Sequence, residues 1–200
     1  MTHPLQALPG RRLGTGLWIL ALVVLFAGCD PSLGPSGVSG AAWVELFTGE
    51  QSMGPLEDGQ VLMVERGSQG GVHIWGSLRA GGIERGSEDQ YDALLSGDRP
   101  LVEFVLEAPY GVLSNPNVVR EYLTANEQGD LLLVGRRVIF RHYSELPEDW
   151  QELDWEEVEQ LMEQDDLTFS VTITDSRGRT AHDSKTVRVE FPPRDLEQPG

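Results

Sequence analysis

Cysteine is almost missing from this chain: Cys29 is the only one in 200 residues. One thiol closes no intramolecular disulfide and makes no CxxC pair, so neither a disulfide framework nor a thiolate zinc site can be built on it. Lysine is as scarce, Lys185 alone, and every other cationic side chain is arginine. With 15 Lys and Arg against 32 Asp and Glu, the formal net charge is −17. So acidic a chain repels phosphate backbones and anionic headgroups, which excludes nucleic acid as a partner. Catalytic signatures are missing too. There is no Gly-x-Ser-x-Gly, no His-Glu-x-x-His and no Gly-x-x-x-x-Gly-Lys loop, and nothing picks a catalytic pair out of the many carboxylates. Neither catalysis nor a cofactor is expected.

Charge is missing again from Leu13 to Gly28, 16 residues that follow Arg11 and Arg12 and hold a dense apolar block, Leu17 to Phe26. That run falls short of the roughly 20 residues of a spanning helix. Its order of basic, apolar and small residues is that of an export signal. An ordinary cut after Gly28 or Ala27 would place Phe26 or Leu25 where a small side chain is needed. The stretch Phe26-Ala27-Gly28-Cys29 instead resembles the lipobox of bacterial lipoproteins, with Phe26 standing where Leu is usual.

That resemblance implies a diacylglycerol thioether on Cys29, cleavage just before it, and acylation of the new amine by a chain such as palmitate. Two or three acyl chains, at about 0.8 kcal/mol per buried methylene, hold firmly where one is marginal. It implies a bacterial cell-envelope protein facing the periplasm or the cell surface, with the membrane as partner through its anchor. Expected divisions are a signal peptide over 1–28, lipidated Cys29 with a flexible Pro/Gly/Ser linker over 29–41, a domain over 42–193 and a disordered tail over 194–200. Cleavage removes two arginines and no acid, taking the charge from −17 to −19. Free of cysteine, the domain must draw its stability from a core, and about 150 residues suffice for one.

What is present from residue 42 onward is alternation of period two, the mark of half-buried strands. Ala42, Val44 and Leu46 alternate with Trp43, Glu45 and Phe47, Leu62 and Val64 form a short strand, and Val72, Ile74, Gly76 and Leu78 share one face, opposed by His73, Trp75, Ser77 and Arg79. Val102, Phe104 and Leu106 oppose Glu103 and Glu107. Leu131 to Phe140 is apolar enough to be a central strand, with Gly135 a bulge or close-packing point. Leu167, Phe169, Val171 and Ile173 alternate with Thr and Ser; Asp175-Ser176-Arg177-Gly178 is turn chemistry, and Val187, Val189 and Phe191 return before Pro192-Pro193. This terminal hairpin resembles the last two strands of immunoglobulin-like and PKD-type modules. One helix interrupts the pattern: Asp154 and Glu157 make a capping box, and Trp155, Val158, Leu161 and Met162 share a face. The expected fold is mainly β, a single antiparallel β-sandwich, Ig-like, with one inserted acidic helical segment.

Three residues are candidates for a ligand surface. Gly70-Gly71 leads into a strand that sets His73 beside Trp75 on one face, an aromatic plate next to a titratable ring, with Arg79 further along. The same pattern also suits a packed strand with a hydrogen-bonded His73. Residues 145–166 hold eleven Asp or Glu and no Lys or Arg, which reads as a solvated helix face near a positive helix end. No metal site is marked by spacing. The alternative to a binding or structural module of the envelope, with another envelope protein or wall polymer as partner, is a metal-binding protein using His73 and His142.

Overall fold

Leu167, Phe169, Val171 and Ile173 are fully buried, and the Thr and Ser between them are not. This alternation organises the whole computed structural model, which describes residues 40–67, 71–87, 97–116, 118–146 and 148–193. The expected signal peptide, Cys29, the linker up to residue 39, residues 68–70 and the tail over 194–200 lie outside the described residues. The described residues fall within one compact unit, Val38–Gly200. None of their helices is long and apolar enough to cross a membrane.

The strands are β1 (Trp43–Thr48), β2 (Gly54–Pro55), β3 (Gln60–Met63), β4 (Glu65–Arg66), β5 (Val72–Gly81), β6 (Leu101–Ala108), β7 (Gly111–Val112), β8 (Val119–Arg120), β9 (Thr124–Ala125), β10 (Leu131–Ile139), β11 (Leu167–Thr174) and β12 (Thr180–Glu190). They form two sheets, β2-β1-β5-β10-β9 with β4 also on β5, and β3-β12-β11-β6-β7 with β8 also on β6. The protein is a β-sandwich. Leu46, Ile74 and Leu78 from the first sheet and Leu106, Phe169 and Val187 from the second are each 1% exposed or less. Each such side chain contributes about 1.5–3 kcal/mol by leaving water. Gly76 is needed at the sheet interface, because a Cβ there would stand 2.8 Å from the Phe104 ring.

One pairing departs from the antiparallel expectation: β3 runs parallel to β12, with Val187 opposite Gln60 and Val189 opposite Leu62. No hairpin forces its direction, because β3 follows elements of the other sheet. Its start is fixed by Gly59 N–H donating to the Thr186 carbonyl (2.7 Å) and Thr186 N–H donating to Asp58 Oδ1 (2.8 Å). Beside it, Leu46 N–H of β1 donates to Asp183 Oδ2 of β12 (2.8 Å), tying the two sheets together along one side.

β10 is less buried than its apolar sequence predicts. β9 covers only Leu131 and Leu132, and a bridge from Ser114 reaches Phe140 at the other end. Between them the chain after Asn115 leaves for the second sheet, where Val119 and Arg120 pair with β6. Val134 and Ile139 are therefore 39% and 43% exposed. The bulge at Gly135 is as expected. The pairing with β5 shifts between Leu133 and Arg136, φ at Gly135 is +73°, and a Cβ there would run into the Glu50 carbonyl.

Two single-turn 3-10 segments, Tyr143–Glu145 and Glu148–Trp150, lead to α1 (Trp155–Gln164). Asp154 caps α1: its carboxylate accepts from Glu157 N–H, and Glu157 accepts from Asp154 N–H, both at 2.9 Å. Val158 and Met162 are buried as expected, with Trp155 and Leu161 packed partly against the core. Glu159 corrects the picture of a wholly solvated acidic face. It is 6% exposed, and both of its oxygens accept from Arg66 Nη2 of β4, at 2.7 and 2.8 Å.

Candidate functional site

The pleat of β5 puts His73, Trp75, Ser77 and Arg79 on the sheet face opposite Ile74 and Leu78, next to Glu65 of β4, Glu45 and Phe47 of β1, and Arg137 and Ile139 of β10. His73 and Trp75 meet edge to face, ring centroids 4.9 Å apart. His73 is buried at 7% exposure, and its Nε2 has no hydrogen-bond partner among the described residues, lying 3.7 Å from Glu65 Oε2. Burial holds its pKa below the ordinary 6.5; Glu65 pulls the other way with less effect, and Arg137 adds to the lowering. Trp75 Nε1 donates to Glu65 Oε1 at 2.7 Å, and the Arg137 guanidinium lies 5.4 Å over the indole.

Arg79 shares the face and is engaged within it. Its Nη2 donates to Glu45 Oε2 at 2.5 Å, and its guanidinium lies 5.7 Å over Trp43 and 5.9 Å over Phe47. Of the three candidates, the structure brings His73 and Trp75 into contact and sets Arg79 in a neighbouring cluster. The face is a partly covered layer of aromatic rings, arginines and glutamates whose hydrogen bonds are largely internal.

The two histidines of the metal alternative are engaged differently. His142 is exposed, and its Nδ1 lies 2.9 Å from Ser144 Oγ. Among the described residues no three His, Cys, Asp or Glu side chains gather into a group able to hold a metal ion.

At the end of this face, where β5 begins and β10 ends, lies a cleft of about 650 Å³. Four segments line it: Gly71–Val72, Asn115, Ile139–His142 and Leu153–Trp155. Val72 and Phe140 are held together by Phe140 N–H donating to the Val72 carbonyl (3.0 Å). Asn115 is drawn in by its own N–H donating to the Ile139 carbonyl (2.8 Å), and Arg141 by its N–H donating to the Leu113 carbonyl (2.7 Å). The cap at Asp154 fixes where α1 starts and so places Trp155. The walls are mainly apolar, and the polar groups Asn115, Arg141, His142 and Asp154 are few, as is usual where small molecules bind.

Sequence reading did not find this cleft. Gly71, through the glycine pair ahead of β5, and His142, as a candidate metal ligand, were singled out and lie in it; Trp155 was read as core, and no local pattern joins Asn115 to Ile139 or Leu153. Ile139 belongs both to the cleft wall and to the face of His73, its partner across the ladder.

Fold and site together describe a β-sandwich with a ligand-sized, apolar cleft at one end of one sheet. No protein-family model, curated protein or solved structure matches the chain.

Proposed function

We propose that this chain is a lipid-anchored module of the bacterial cell envelope that acts by binding rather than by catalysis. Its site is the cleft and the adjoining face of His73, Trp75 and Arg79. The observation that carries the reading is the cleft itself. Its volume of about 650 Å³ falls within the roughly 300–1,000 Å³ of small-molecule sites. An anchor at Cys29 and a tether over 30–41 keep such a domain at the membrane at high local concentration while leaving it free to reach a ligand.

The test is made at Ile139, where cleft and face meet and where 43% exposure makes substitution tolerable for folding. Native protein and Ile139→Glu are crosslinked in their own cells, and the species attached to each are compared. Loss of crosslinked species from the variant supports the site; an unchanged set overturns it.

A further inference from the structure

Four polar residues line the cleft, and three of them spend one side-chain polar atom on the fold. Asp154 spends its carboxylate on Glu157 N–H at the start of α1. Asn115 donates from Nδ2 to the Phe140 carbonyl at 3.5 Å, and Nδ1 of His142 is occupied by Ser144. Arg141 is the one with a fixed positive charge. Its Nε donates to the Ser114 carbonyl at 3.2 Å and its backbone N–H to the Leu113 carbonyl. Among the described residues it makes no ion pair, and its terminal nitrogens have no hydrogen-bond partner.

The chain carries a net charge of −17, yet no acid among the described residues pairs with Arg141. Arg66, Arg79, Arg136, Arg177 and Arg179 each lie against a carboxylate. A guanidinium anchored at its base and left open at its fork is set to take a carboxylate through two parallel hydrogen bonds. A neutral apolar ligand filling the same cleft would strip water from that cation and give nothing back.

Taking the cleft as a ligand site, as above, we infer that its ligand is a free apolar molecule carrying one carboxylate, with the apolar body against Val72, Phe140 and Trp155 and the carboxylate on Arg141. Both parts of the recognition are needed. Apolar burial supplies most of the affinity, and Arg141 selects acid over alcohol, amide or amine.

The probes are octanoate and octanamide, which share a tail and differ in charge. Each is titrated, by tryptophan fluorescence and by saturation-transfer NMR, against the full chain held in nanodiscs of zwitterionic lipid, with empty nanodiscs subtracted. Octanoate is expected to bind about tenfold more tightly than octanamide. Arg141→Gln should raise the octanoate Kd about tenfold and leave that of octanamide within twofold, while Arg141→Lys, which keeps the charge, should retain most of the preference. Equal affinities that Arg141→Gln does not move overturn the assignment to an acid and leave the cleft as a neutral apolar site. If neither probe binds, the cleft reading itself falls.

Discussion

Glu159, in the middle of α1, is held by Arg66 of β4: one guanidinium nitrogen serves both carboxylate oxygens, at 2.7 and 2.8 Å. The same guanidinium lies 6.0 Å over the Phe191 ring. The pair fastens the helix to the sandwich where Phe191 N–H also donates to Glu163 Oε1 (2.8 Å). Removing one partner strands the other in a largely desolvated place. Glu159→Ala is expected to cost about 2–4 kcal/mol, less than a wholly buried pair would because the Arg66 side chain is 28% exposed. The double variant Arg66→Met with Glu159→Leu should recover most of that loss, since apolar replacement removes both desolvation costs. Urea unfolding of the three proteins checks it; a double variant no more stable than Glu159→Ala would contradict the account.

His73 makes stability depend on pH near neutrality. Its pKa in the folded protein lies below the ordinary 6.5, chiefly through burial, so the unfolded chain binds a proton at a higher pH than the folded one does. Stability is then whole above about pH 6.5 and falls as pH drops from there toward the lowered folded value. Unfolding midpoints at pH 8 and pH 5.5 should fall further for the wild type than for His73→Gln, in which nothing titrates at that position. Equal falls would place the titration elsewhere.

Asp175 works at lower pH and with the opposite chemistry. Burial raises its pKa, but backbone N–H groups of Glu84, Arg179 and Arg177, together with Arg179 Nε, outweigh burial and bring it below 3.8. These donors stand 2.8–3.0 Å away; those of Arg177 and Arg179 build the turn between β11 and β12, and that of Glu84 ties the turn to the segment after β5. A lowered carboxylate pKa gives stability that is complete above about pH 3.8 and is lost as pH falls through the folded value. Asp175→Asn should cost about 2–3 kcal/mol at pH 7, with the gap to wild type narrowing below pH 3.8. A gap that stays constant down to pH 2.5 would show that the charge does not matter there.

Local chemistry was readable wherever neighbours in sequence decide the outcome. Phe169 and Val171 declare their strand by period two, Asp154 and Glu157 declare the cap, and Gly135 marks a bulge because no other residue fits against the Glu50 carbonyl. The β-sandwich follows from such elements. Long-range partners were harder. β10 reads as central because Leu131–Leu133, Val138 and Ile139 are apolar, yet its cover depends on the path of residues 116–123. The direction of β3 depends on Asp58 meeting Thr186. Glu159 could have been found, since Trp155, Val158, Glu159 and Met162 form an i, i+3, i+4, i+7 stripe; abundance of acids around it hid its inward position. The cleft had no comparable signal, because its four segments meet only in space.

Intact-mass spectrometry of protein extracted from its own membranes tests most directly the proposal that acyl chains on Cys29 anchor this sandwich to a membrane. The predicted result is a mass equal to residues 29–200 plus a diacylglyceryl thioether, with or without a third acyl chain on the amine. A mass equal to the unprocessed 200-residue chain, or a free thiol at Cys29, would contradict it.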